Sequence, residues 1–312
     1  MLWLAAALGV VAFAIASTVH AETERTQSAL EGLKAYYLAV GAVERGILHV
    51  AWGNSPAPPD SPPRVFYSGA TPFLPMSFPE GEALVEVIPE ASKMDINKTS
   101  PEDLARLIVA LGAYPEQAAE VVAGILDWRS PASVLTGFDQ FYLSLTPSFR
   151  SRHASVEQIE ELLLVKGMSP ELFYGTYERG ENGGLVPRGG MRDCVSVFGS
   201  TTQFDVNTAH PAVLAAIGVA PPSIAFLLEK RRSIPFTQNE LNQLLPMAGP
   251  GGSRLRIGGN SIFTLRATAR ARLPGGTLSE VRRGAAAMVK FMPDNYDEPF
   301  HVLRWYDRAW SN

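Results

Sequence analysis

Two ten-residue segments hold the side chains best placed for local hydrogen-bond chemistry. Residues 95–104 read DINKTSPEDL and residues 205–214 read DVNTAHPAVL, so both fit D-[IV]-N-x-x-x-P-x-x-L without a gap. In each copy the short side chains, Asp95 and Asn97 or Asp205 and Asn207, suit bonds to nearby backbone that hold a turn. Pro101 and Pro211 suit a first helical position, and Ser100 suits the N-cap, with an acid three residues on. Leu104 and Leu214 then begin an apolar helix face. This chemistry builds turns and does not turn over a substrate. Near the end of the chain Asp294, Asp297 and Glu298 form a tight acidic cluster, which reads as a solvated loop. Enzyme constellations are missing: five scattered histidines have no H-E-x-x-H spacing, and GPGGSRLRIGG at 249–259 lacks the Gly-Lys-Ser/Thr of a phosphate loop. No G-x-S-x-G elbow occurs, and Glu157, Glu160 and Glu161 read as a solvated helix face. We expect no catalysis and no cofactor from these residues.

Each copy must be carried by helices. The motif runs into a short helix, a break at Leu111-Gly112 or Ile217-Gly218, and a second helix. That second helix presents Val121, Val122, Ile125 and Leu126, or Ile224, Leu227 and Leu228. Arg129 and Lys230-Arg231-Arg232 then suit helix C-termini. The pattern resembles helix-hairpin-helix, or SAM-like, units. Many of these bind DNA through a Gly-x-Gly turn, as in membrane-anchored competence DNA receptors, and that is the alternative function. Here the turns LGAYP and IGVAPP lack the second Gly, and proline removes amide donors. Lys plus Arg is 27 against 31 for Asp plus Glu, a net charge of −4, whereas phosphate binding favours a basic chain. No nucleic-acid partner is expected.

The first nineteen residues, MLWLAAALGVVAFAIASTV, carry no charge. As a helix they span roughly 28 Å, about one bilayer core. No basic region precedes them, so a retained anchor is preferred over a cleaved signal peptide. Leu33, Tyr36, Val40, Val43, Ile47 and Val50 then recur in steps of three and four, and no proline comes before Pro56. The expectation is one long helix, apolar all round and then amphipathic, ending in the proline-rich GNSPAPPDSPP. Such a start resembles the pilin architecture. Pilins carry a short basic leader before the apolar run, and we expect the true start codon to lie upstream of Met1. The single cysteine, Cys194, reads as a small buried hydrophobe and excludes an intrachain disulfide.

Strand patterns flank the helical block. Leu84–Ile88 reads as a short strand, and Ser261–Leu273 alternates apolar and polar residues with period two. Pro274-Gly275-Gly276 makes a turn, Val281–Phe291 returns, and Phe300–Trp305 adds a last strand. The fold class is α+β: a long N-terminal helix packed on an antiparallel sheet, as in pilins, with a large all-α insertion of two helix-hairpin-helix units. Expected boundaries are 1–19 for the transmembrane part, 20–93 for the first part of the sheet domain, 94–247 for the insertion and 248–312 for the last strands.

Further segments carry a family resemblance. LWLAAALGVVAF, AVGAVERGIL, the DIN element, Asp127-Trp128-Arg129, IEELLLVKGMSPELFYGTY, FDVNTAHPAVL and IFTLRATARARL occur in an order that resembles the K-type minor pseudopilins of type II secretion systems. The resemblance spans nearly the whole chain. It implies a structural subunit at the tip of a periplasmic pseudopilus, held in the bacterial inner membrane by one helix with its C-terminal domain in the periplasm. It implies partnership with the I- and J-type minor pseudopilins and the major pseudopilin, in support of export of folded proteins across the outer membrane. It also implies calcium binding in some members, for which Asp294, Asp297 and Glu298 are the candidates here, since calcium needs several oxygen ligands; a solvated loop is the competing reading of that cluster. Where the family often continues its Asp-Trp motif with acids, this chain has Ser130-Pro131-Ala132. A related pilus system fits the same residues.

Overall fold

The computed structural model describes residues 2–53, 67, 72–180, 183–258, 261–292 and 296–309, with the side chains of residues 2, 4–7 and 10 outside that set. It divides into two compact units, one of residues 1–88 with 263–312 and one of Pro89–Ile262.

The first unit is built on helix α1, Leu2–Gly53. As the uninterrupted pattern requires, no break separates its uncharged start from its amphipathic end. Among the described residues no helix is long and apolar enough to cross a membrane; the expected transmembrane part, 1–19, falls partly outside them. Strands β1 (Phe73–Phe78), β2 (Gly81–Pro89), β3 (Ile262–Arg272), β4 (Leu278–Phe291) and β5 (Phe300–Tyr306) form a five-stranded sheet in that order. β1 pairs antiparallel with β2 and β4 with β5, while Leu273 and Thr277 close the turn between β3 and β4. Neighbouring strands β2 and β3 are joined through the whole second unit.

In β3, Phe263, Leu265, Ala267 and Ala269 are buried with Val85, Val87, Ala287 and Val289 against α1, as the period-two pattern expects. Thr264 and Arg266 are buried as well, so the strand alternates in burial only from Ala267 on. The opposite face carries Arg266 with Glu86, Arg270 with Glu280 at 2.9 Å, and Arg272 with Glu82 at 2.9 Å. β1 was not expected. Its FLPMSF contains Pro75, which an edge strand tolerates because one side of it needs no ladder bond. At the β1–β2 turn a Cβ on Gly81 would lie 2.2 Å from the Arg270 carbonyl oxygen, so only glycine fits there.

The buried stripe of α1 differs from the expected one. Val43, Ile47 and Val50 are buried, Tyr36 and Val40 are half-buried, and Leu33 turns to solvent. The centre of the stripe is Ala35, Ala39, Ala42 and Gly46. Small residues let the helix approach the sheet closely: a Cβ on Gly46 would meet Leu265 and Val85 at 3.1 Å. Reading only large apolar residues rotated the stripe toward Leu33.

The second unit has its own core. Its helices are α2 (Pro101–Ala110), α3 (Pro115–Arg129), α4 (Gly137–Leu143), α5 (Pro170–Tyr174), α6 (Met191–Cys194), α7 (Pro211–Ala216), α8 (Pro221–Ser233) and α9 (Gln238–Leu244). Val121, Val122, Ile125 and Leu227 are buried as expected, Leu126, Ile224 and Leu228 are half-buried, and α2 packs on α7. Cys194 is fully buried, and burial pushes its thiol well up. The unit is not all-α as expected, since Thr176–Arg179 and Leu185–Arg188 form an antiparallel hairpin within it, and it reaches beyond the expected 94–247. Glu90 and Ser92 are buried in it, Ala248 and Leu255 belong to its core, and Leu255-Arg256 pairs in parallel with Phe204-Asp205.

Candidate functional site

The two motif copies fold alike. Each opens on a two-residue strand in a parallel pairing, Met94-Asp95 with Val195-Ser196 and Phe204-Asp205 with Leu255-Arg256. The buried aspartate then accepts from the amide of the asparagine two residues on, at 2.9 Å for Asp95 to Asn97 and 3.2 Å for Asp205 to Asn207. Burial raises the Asp205 carboxyl, against donors from Thr208 and Asn207 that lower it. A helix starts on a proline: Ser100 accepts from Asp103 N–H at 3.1 Å, and His210 Nδ1 accepts from Ala212 N–H at 3.2 Å. Leu104 and Leu214 are fully buried.

Both asparagines reach across the unit. Asn97 donates to the Val156 carbonyl at 3.0 Å and accepts the Val156 N–H at 2.7 Å. Asn207 does the same with Phe236, at 3.2 and 2.7 Å. An arginine from each second helix closes the turn from the other side. Arg129 donates to the Ile96 and Thr99 carbonyls at 2.6 and 2.8 Å, and Arg231 to those of Val206 and Ala209 at 3.2 and 2.7 Å. Burial lowers the pKa of both guanidinium groups. Their role is thus more specific than helix-end charge complementarity.

The sequence carried a signal for the asparagine targets. Val156 and Phe236 each stand two residues before a glutamine, Gln158 or Gln238, and shortly before a glutamate that caps the following turn. Glu161 accepts from Gln158 N–H at 3.0 Å, and Glu240 from Thr237 N–H at 2.9 Å. Lys230 and the Thr237 cap hold the Glu240 carboxyl down to about 2. Glu161 also accepts from Trp128 Nε1 at 3.1 Å, so it does not belong to a solvated face.

The copies differ by helical turns. α2 has 10 residues and α7 has 6, a difference of four, or about one turn. Gly112 and Gly218 follow with φ of 89° and 91°. Glycine adopts this left-handed backbone most readily, and here it ends each helix. The turn amides are consumed: Gly112 and Ala113 donate to Val109 and Ile108, while Gly218, Val219 and Ala220 donate to Ala215, Leu214 and Ala248. Those N–H groups are not available to a phosphate, which removes the feature that a DNA-binding turn needs.

Ser151, His153 and Asp139 bring together the residue types of a hydrolytic triad, which the sequence reading missed. The geometry is different. Ser151 Oγ donates to Asp127 Oδ2 at 3.0 Å, and both ring nitrogens of His153 are taken, Nδ1 by the Asp127 carbonyl at 3.1 Å and Nε2 by Asp139 at 2.9 Å. The serine hydroxyl thus bonds a carboxylate and not the imidazole, so the three residues do not form a Ser-His-Asp relay.

Of the calcium candidates, Asp294 lies outside the described residues. Asp297 and Glu298 are exposed, and Glu298 lies 3.1 Å from His301. Among the described residues no group of three or more His, Cys, Asp or Glu could hold a metal ion.

Residues 83–175 match the family model of the type II secretion system (T2SS), protein K. A type II secretion system protein K from Klebsiella pneumoniae is 28% identical over 132 residues, which are 41% of this chain and 36% of that protein. The match therefore spans about a third of that relative's length. Among solved structures, a chain of the GspK-GspI-GspJ complex from the enterotoxigenic Escherichia coli type 2 secretion system covers 94% of this chain and all of its own length. Its TM-score is 0.53 at 16% identity, so the two share a fold.

Proposed function

We propose that this chain, which carries the protein K domain of type II secretion systems, is the K-type minor pseudopilin of such a system. The family match over residues 83–175, taken with a fold likeness over 94% of the chain, carries the reading. In it, the uncharged start of α1 holds the subunit in the inner membrane, and the helix-on-sheet unit is the pilin-like part. The helical unit, two SAM-like modules closed by Asn97 with Arg129 and by Asn207 with Arg231, enters through one β2–β3 connection. Its bulk would hinder addition of a further subunit and so favour a tip position. The sheet domain faces the periplasm, where the chain supports assembly of the pseudopilus and export of folded proteins.

The α1 face opposite the sheet supports the partner assignment. Leu30, Leu33 and Tyr37 are 53%, 52% and 64% exposed and follow one another at helical spacing, and Leu48 is 41% exposed. Contiguous exposed apolar residues favour a protein partner. We assign that face to the helices of the I- and J-type minor pseudopilins and of the major pseudopilin. The test is deletion of the gene and complementation with the full chain, reading folded substrate in the medium. Normal secretion by the deletion strain overturns the proposal.

A further inference from the structure

His153 has φ of 48°, the one non-glycine positive value among the described residues. A non-glycine residue there is uncommon and holds only where the surroundings over-determine it. The surroundings are on α3 and α4. Nδ1 faces the Asp127 carbonyl oxygen at 3.1 Å and Nε2 faces the Asp139 carboxylate at 2.9 Å. Both partners are acceptors only. A neutral imidazole has one N–H donor and one lone pair, so it satisfies one contact and sets the lone pair of the other nitrogen against oxygen. Only imidazolium donates to both.

Asp139 is 2% exposed and accepts also from the Thr136 and Ser151 amides, at 3.1 and 3.2 Å. Ser151 Oγ donates to the Asp127 carboxylate, and Ala154 N–H donates to the Trp128 carbonyl at 3.1 Å. The segment from Ser144 to Val156 is thereby strapped across the end of α3 and the start of α4, with Phe149 stacked on Tyr142 at 4.9 Å between ring centres. The charged groups acting on the imidazole are Asp139 and Asp127. The neighbouring Arg152 is engaged with Glu157 and Glu161.

We propose that His153 is an internal cation that locks the 144–156 strap to Asp127 and Asp139, and that loss of its proton releases the strap. The lock lies beside a surface with few charges. From Ser130 to Phe149 the only charged residue is the buried Asp139, while Val134, Leu135, Leu143 and Leu145 are exposed. Release of the strap reshapes that surface and uncovers the Trp128–Tyr142–Phe149 aromatic group. The hydrogen bond that His153 donates to Asp139 raises the His153 pKa; burial pushes the Asp139 carboxyl up, but the same bond and the backbone amides that it accepts bring it below its usual value. The locked window therefore runs from below the usual carboxylate range to above the usual imidazole value, and it closes as pH rises through the raised pKa.

The test is hydrogen exchange of peptides covering 144–156 in the full chain in detergent, from pH 6 to pH 9, corrected for intrinsic exchange. Wild type should lose roughly tenfold in protection across the raised His153 pKa. His153→Asn accepts the left-handed backbone but carries no charge, so its protection should be low and flat with pH. Asp139→Asn keeps a polar side chain at the junction and should move the transition to lower pH. Flat protection in wild type, or the wild-type transition persisting in His153→Asn, overturns the proposal.

Discussion

Arg106 Nε donates to the carbonyl oxygen of Ala216, 2.6 Å away, tying a helix of one motif copy to the matching helix of the other. The sequence separation is the same as that between Asp95 and Asp205, so the bond joins equivalent points on α2 and α7. Arg106 also pairs with Asp103, which accepts in addition from Arg254 at 2.9 Å. The guanidinium is half-exposed, so Arg106→Ala should destabilise the helical unit by only about 1 kcal/mol. Urea unfolding that reports on Trp128 would measure it.

The asparagine clamps should cost more. Asn97→Ala removes two hydrogen bonds and leaves the Val156 amide and carbonyl without these partners. The expected loss is about 2 kcal/mol, and Asn207→Ala should match it at Phe236. The sites share no partner, so the double variant should lose nearly the sum. The measurement is chemical unfolding of both single variants and the double. A double variant no worse than either single one would mean that the copies do not carry independent clamps.

The two faces of α1 should separate folding from assembly. Val43 is fully buried against the sheet, so Val43→Asp places an unpaired charge in the core, at a cost of several kcal/mol. Gly46→Leu forces atoms into Leu265 and Val85 and should cost about 1–3 kcal/mol. Leu33→Asp alters an exposed position, so thermal unfolding should stay within about 0.5 kcal/mol of wild type while secretion is lost. Full secretion by Leu33→Asp would remove that face from the assembly contacts.

Acid should weaken the second motif at His210. Its Nδ1 caps α7 by accepting the Ala212 amide, which requires a lone pair, and burial, the larger cause, together with Arg231 lowers its pKa. The unfolded chain then binds the proton more readily than the folded one. Stability is intact above the ordinary histidine range and falls as pH drops below it, toward the lowered folded value. His210→Asn keeps a capping acceptor without a titrating ring and should flatten the slope between pH 7 and 5. The same slope in that variant would place the acid sensitivity elsewhere.

The parts of the fold with strong local grammar were readable in the sequence. The duplicated D-[IV]-N-x-x-x-P-x-x-L gave both turns and helix starts because Asp95 and Asp205 bond the backbone two residues on and Pro101 and Pro211 open the helices. The β3 alternation was readable from Ala267 on, where one face is buried and the other is not; the burial of Thr264 and Arg266 on the polar face was not readable from period two. The α1 stripe was misplaced because Ala35, Ala39 and Gly46 matter through their smallness, which a search for large apolar residues passes over. The Asn97–Val156 clamp and the His153 junction join residues far apart in the chain, and single-segment patterns do not report such pairs. β1 escaped because Pro75 marks a loop unless the strand is known to lie at an edge.

The central claim, that this chain is a K-type minor pseudopilin, is tested most directly by purifying the full chain in detergent with the I- and J-type pseudopilins of its own host. A labelled DNA duplex would be titrated in parallel at moderate salt. The account predicts a stable ternary complex that Leu33→Asp weakens, with no DNA binding. Salt-sensitive DNA binding, with neither pseudopilin retained, would contradict it.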